Sequence, residues 1–159
     1  MLLSVLRANG RALQFASKGY RNDPQVVLAA VTSQGEALQY ASLQRRQDRD
    51  LVLAAVTRCG RALQVAAAHL RNDKEVVLAA VKNDPMALQY ASMALQDDEE
   101  VVLLAASQDL KALRSASRRL RAKDDFLQRT GKAKALRYAL NPAPRAPGAK
   151  ALSLRSHNT

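Results

Sequence analysis

Cys59 is the one cysteine of this 159-residue chain, and Arg58 and Arg61 stand on either side of it. Positive charge near a thiol lowers its pKa and favours the nucleophilic thiolate. Covalent catalysis also needs a base within reach, and the only histidines are His69 and His157. Cys59 therefore reads first as an incidental surface cysteine. No G-x-S-x-G, H-E-x-x-H or phosphate-binding glycine loop occurs. The Gly-Lys pair in "TGKAK", from Thr130, lacks both the leading glycine and the following hydroxyl residue. Asp97 and Asp98 stand where helix caps belong, and capping explains them. With so few soft ligands, no metal site and no cofactor is expected. The chain reads as a non-enzyme.

Two polar patterns remain. Gln14, Gln39, Gln64 and Gln89 recur every 25 residues, and Arg114 takes the fifth place. A carboxamide both donates and accepts, so such a stripe could read the backbone groups of an extended partner. Alternatively each glutamine bonds a neighbouring repeat or a helix end. Within "KALRSASRRLRAK", Lys111, Arg114, Arg118 and Arg121 recur at helical spacing on one face. They read either as a docking face for acidic protein, RNA or anionic membrane, or as a solvated cap.

The charge of +11 is unevenly placed. All 14 acids fall in residues 23–125, which also hold 14 cations, so that segment is neutral. Residues 1–22 and 126–159 are basic without any acid. A binder of nucleic acid along its whole length would spread its cations along the body as well. The aromatic slot, Phe15, Tyr40, Val65, Tyr90 and Ser115, is interrupted and is expected to border the core. No apolar run reaches the roughly 18 residues of a membrane span.

What must position these residues is an array. Residues 21–45 laid over 71–95 give 15 identities in 25 positions. Ala-Leu-Gln opens at Ala12, Ala37, Ala62 and Ala87, and an apolar run opens at Val26, Leu51, Val76 and Val101. Such a period marks a solenoid, in which each unit buries its apolar face on its neighbours. Asp23, Asp48, Asp73 and Asp98 suit N-caps, and Pro24 suits the first helical position. The six apolar residues from Val26 to Val31 run all round a helix and are expected to be buried on all sides. Gly35 and Gly60 would end that helix in a left-handed conformation. A second, amphipathic helix of about 10 residues follows, as in "GEALQYASLQRR". Its wheel sets Ala12, Leu13, Ala16 and Tyr20 against Arg11, Gln14, Lys18 and Arg21. A buried strand is the rival for the valine-rich run, but capping and paired alanines favour helix.

The expected fold is thus all-α: a helical-repeat solenoid with two short helices per 25 residues, over residues 1–140. It starts in mid-repeat and degenerates after about residue 125, with a sixth second-helix near 131–138. Residues 141–159 read as a disordered, proline-rich basic tail. The N-terminal half-repeat is expected to pack on further repeats or to self-associate. An intracellular, cytoplasmic setting is expected; organellar targeting by the basic residues 1–22 is the alternative.

At "RNDKEVVLAAVKNDPMALQYAS" the chain closely resembles the repeats of domain-of-unknown-function family 4116, over roughly residues 1–125. The resemblance implies a helical repeat protein and no activity, and carries over no catalytic residue. The functional expectation is a non-enzymatic scaffold for protein–protein interaction. Binding of nucleic acid or an acidic partner through the basic C-terminal end is the alternative.

Overall fold

The computed structural model describes residues 2–129, and among them there is no strand. The sixth second-helix and the tail proposed above lie outside these residues. Five main helices recur in the 25-residue frame: α1 (Leu2–Ala8), α2 (Pro24–Ser33), α3 (Arg49–Arg58), α4 (Lys74–Asn83) and α5 (Glu99–Gln108). A last helix, α6 (Asp124–Arg129), opens one more unit, with Phe126 fully buried in the slot of Val26. Each main helix packs on the next. Between them lie 3-10 helices, Gly10–Phe15, Gly35–Tyr40, Gly60–Val65, Pro85–Tyr90 and Leu110–Ser115, which stack as a second layer. The repeat solenoid is all-α, as the period requires.

The aspartate caps act as expected. Asp23 accepts from the amides of Gln25 and Val26 at 2.8 and 3.1 Å. Asp73 and Asp98 do the same one turn into α4 and α5, and Asp48 accepts from Leu51 at 3.4 Å. Acids in the first turn, such as Glu75, add to the favourable interaction with the helix dipole.

The α-helices are not buried on all sides. In α2, Val26, Val27, Ala30 and Val31 are buried, while Leu28 is 40% exposed and Ala29 half-buried. Leu53–Ala54, Leu78–Ala79 and Leu103–Leu104 are half-buried in the same slots. Each helix is covered by two neighbouring α-helices and the 3-10 layer, which leaves its fourth side open. The all-round apolar run therefore overstates the burial.

The second helix is not one regular α-helix. It consists of six 3-10 residues, a break, and a short helical turn such as Lys18–Asn22, Arg45–Gln47 or Met93–Gln96. The break residue, Ala41 for example, has φ −67° and ψ 156°. Beyond it the next amide turns outward: Ser42 N–H donates to the Arg21 carbonyl of the preceding repeat at 2.9 Å. Ala67 bonds Arg46, Ser92 bonds Arg71 and Ser117 bonds Gln96 in the same way, at 2.8–3.0 Å. One main-chain bond per junction thus runs the length of the array. The carbonyls freed at and before the break are taken up by a side chain five to eight places on. Arg21 donates to the Ala16 carbonyl, Arg46 to those of Ala41 and Gln39, and Gln96 to those of Leu88, Gln89 and Ala91.

Gly35 and Gly60 do not adopt a left-handed conformation. Each opens a 3-10 helix after a residue of extended backbone, Gln34 or Cys59. Their requirement is space. A Cβ on Gly10, Gly35 or Gly60 would lie 2.2, 2.3 or 2.4 Å from the carbonyl oxygen of Ala30, Ala55 or Ala80 in the next α-helix. At these junctions the second alanine of the pair and the glycine bring the two backbones together with no room for a side chain. At the last two junctions this register holds Pro85 and Leu110, both half-buried.

Ion pairs stitch the junctions at the surface. Arg49 bridges Asp73 at 2.9 Å and also Glu75, and Lys74 bridges Asp98 and Glu100 at 2.9 and 2.8 Å. Arg119 reaches back to Asp97, and Lys123 to Glu99. The Arg49 hydrogen bond holds the Asp73 carboxyl below its ordinary value of 3.8. Arg119, then the Ser117 hydroxyl, lower that of Asp97. Burial opposes ionisation of Asp98, but Lys74 and the amides of Val101 and Glu100 outweigh it. Carboxyls with depressed values stabilise the fold above their unfolded pKa, and this contribution is lost as pH falls through the folded values. The thermal midpoint is therefore expected to stay flat from about pH 8 to 5 and to fall below about pH 4. Because these pairs are largely exposed, added salt should shrink that pH dependence. A melting series across pH at low and high salt checks both.

Candidate functional site

The glutamine stripe follows from the geometry of the 3-10 layer. A 3-10 helix has three residues per turn, so residues three apart line up. In "GRALQF" this gives three columns. Gly10 and Leu13 are buried and face the α-layer; Arg11 and Gln14 are exposed; Ala12 is half-buried. In "GEALQY", "GRALQV", "PMALQY" and "LKALRS" the leucine of the first column stays buried and the Gln or Arg of the second stays exposed, while in the third the alanine is buried and Tyr40, Val65, Tyr90 and Ser115 are half-buried. Phe15 departs from the expected core border and is 84% exposed. Tyr20, placed by the wheel on the buried side, is 51% exposed, whereas Leu70, Leu95 and Leu120 in the same slot are buried.

Gln14, Gln39, Gln64, Gln89 and Arg114 are all exposed and recur in one line along the stack. Among the described residues, the side chains of the four glutamines make no hydrogen bond. What is bonded is their backbone: the Gln39 carbonyl accepts from Arg46 at 2.8 Å, and that of Gln89 from Gln96 at 3.2 Å. The role of bonding a neighbouring repeat belongs to other residues. Gln34 accepts from the Arg11 amide at 2.9 Å and Asn83 from that of Gly60 at 2.8 Å. Arg58 donates to the Thr32 carbonyl, Asn83 to Thr57 and Gln108 to Val81. These last ties come from one column, which holds Arg58, Asn83 and Gln108 in the later copies and Ala8 and Ser33 in the first two. Glu36, Gln39, Arg61, Gln64 and Val65 line an open groove of about 250 Å³ between two successive stripe positions.

The basic residues do not share one helix. Lys111 and Arg114 lie on the 3-10 helix Leu110–Ser115, Arg118 and Arg121 on the turn Arg118–Ala122, with extended Ala116 between. The first three are exposed and Arg121 is half-buried. Cys59 joins α3 to its 3-10 helix and is half-buried, beside a shallow hollow shared with Arg11 and Glu36. A larger groove of about 410 Å³ lies on the α-helical face, where Leu3, Arg7, Leu28 and Arg58 meet. Among the described residues, no three His, Cys, Asp or Glu side chains come together as metal ligands, and no helix is long and apolar enough to cross a membrane.

No curated protein and no solved structure matches this chain. One family pattern does, three times over: Domain of unknown function (DUF4116), at residues 1–45, 48–93 and 73–121. The matches follow the repeats themselves and together span the array from α1 to the last 3-10 helix. On that coverage the chain belongs to the DUF4116 family, as a repeated helical array.

Proposed function

We propose that the array is a non-catalytic scaffold that binds a protein partner along the glutamine stripe. The observation that carries this reading is the set of four exposed carboxamides, in one line, whose side chains have no partner among the described residues. Packed helices stand about 8–10 Å apart, so neighbouring stripe positions are separated by roughly that distance. Three residues of extended chain span about 10 Å. A partner lying along the stripe in extended form would meet one glutamine every third residue. Each carboxamide could then donate to a peptide carbonyl and accept from a peptide amide. Because the layer beneath holds the glutamine backbones fixed, little ordering cost remains on binding apart from that of the side chains and the partner.

Partners recovered by affinity purification, with and without nuclease, supply the ligand for the test. The double variant Gln39→Ala/Gln64→Ala is expected to weaken binding of the recovered protein about tenfold or more. Its melting temperature should stay within about 1 °C, as for other exposed substitutions. A lowered melting temperature with unchanged affinity would overturn the reading. So would tight, salt-sensitive RNA binding with no protein recovered.

A further inference from the structure

The third column of the 3-10 layer is filled unevenly. Tyr40 and Tyr90 are half-buried and pack against the core. Between them, in the middle repeat, the same slot holds Val65. Valine is smaller by a whole ring, and the open groove of about 250 Å³ lies over it. Ser115 also lacks a ring, but its hydroxyl makes that slot polar.

The groove has an apolar floor and polar walls. Its apolar members are Val65 and the buried Ala62, which stand three apart and so line up on one side of the 3-10 helix Gly60–Val65. Its polar members are Glu36 and Gln39 from the preceding 3-10 helix, and Arg61 and Gln64. The two charged ones are already paired, Glu36 with Arg11 and Arg61 with Asp84, so neither is left to attract a charged occupant.

From this gap we infer that the groove over Val65 is a socket for an aromatic side chain of the protein partner. The inference rests on the glutamine stripe as the partner's track, and adds what the partner must carry. Successive side chains of an extended chain point to opposite sides. Between the two partner residues that meet Gln39 and Gln64, one side chain therefore points at the array, over Val65. A phenylalanine or tyrosine there restores the ring that the chain itself supplies in the repeats on either side. An aromatic ring also buries a large area, which the carboxamides alone do not offer. The glutamines hold the partner's backbone, and the socket selects its side chain.

Blocked peptides serve as probes on the full chain: Gly-Ser-Gly-Phe-Gly-Ser-Gly, and the same sequence with alanine or glutamate at its centre. Binding is read from the NMR shifts of the Val65 and Ala62 methyl groups. The phenylalanine peptide is expected to bind about tenfold tighter than the other two. Val65→Tyr should fill the socket and abolish that preference. Its melting temperature should stay level or rise, because the slot already accepts Tyr40 and Tyr90. Equal affinity for the phenylalanine and alanine peptides, or binding of neither, overturns the inference. So does tighter binding of the glutamate peptide, or a clear fall in the Val65→Tyr melting temperature, which would show that the gap does not fit a ring. Gln39→Ala/Gln64→Ala separates the two readings. Peptide binding that this variant weakens, but without any preference for phenylalanine, sinks the socket and leaves the stripe. A phenylalanine preference that the variant leaves untouched supports the socket and sinks the stripe.

Discussion

Gly35→Ala is expected to destabilise the array by about 1–3 kcal/mol, although alanine is the better residue on local grounds. Gly35 has no left-handed backbone, so the local effect of alanine would be a gain of roughly 0.4–1 kcal/mol, by restricting the unfolded chain. Against this stands a Cβ placed 2.3 Å from the Ala55 carbonyl oxygen and 2.9 Å from both the amide nitrogen and Cβ of Cys59. These atoms belong to a helix end and cannot move away as a flexible side chain would. Steric overlap therefore wins, and the α2–α3 junction must widen. Pro85 opens the 3-10 helix that packs on α5, so this register accepts a residue with a Cβ, and the variant should fold with a lower midpoint. Gly19→Ala is the control. Its nearest neighbour is the Ser17 hydroxyl at 3.8 Å, and it lies inside the short helix Lys18–Asn22. That change should raise stability by about 0.5–1 kcal/mol. Denaturant melts of the two variants, read side by side, separate the steric cause from a general intolerance of alanine.

Leu63→Ala should cost more, about 2–5 kcal/mol. Leu63 is fully buried in the central 3-10 helix and belongs to the column Leu13, Leu38, Leu63, Leu88, Leu113, which joins the two layers. Its removal leaves a void that neighbours on rigid helices cannot close. Because repeats contact only their neighbours, the damage is confined to one junction in the middle. The unfolding transition is expected to broaden or split, and not merely to shift. Leu43→Ala, at a side chain 74% exposed, should leave the transition in place. Calorimetry checks this directly: a single sharp transition for Leu63→Ala, at the original midpoint, would contradict the two-layer core.

The repeat length, the α-helical runs and their aspartate caps were readable in the sequence, because each rests on local chemistry repeated in every copy. Asp23-Pro24 and the first-turn acids specify a helix start whatever surrounds them. The 3-10 segment was harder to see. "GRALQF" is short enough to fit a helical wheel, yet its three columns, Gly/Leu, Arg/Gln and Ala/Phe, keep a period of three. The break after it recurs at Ala16, Ala41, Ala66, Ala91 and Ala116, and a helical wheel drawn through the segment hides it. Gly35 was misread because its constraint is a neighbouring carbonyl and not its own dihedral angles. For the candidate site, the recurrence of Gln14, Gln39, Gln64 and Gln89 was legible, but not their freedom from structural bonds. That depended on Gln34, Arg58, Asn83 and Gln108 serving the junctions in their place. The open side of the α-layer was missed because an all-apolar helix does not say how many neighbours cover it.

The main-chain bond from Ser42, Ala67, Ser92 and Ser117 recurs at the same edge of every junction. Peptide groups held amide to carbonyl keep that edge at nearly constant length, while the edges joined by long arginine and lysine side chains can stretch. Changes of curvature should therefore pivot about the peptide-bonded edge, opening or closing the spacing elsewhere like a fan hinged at one rib.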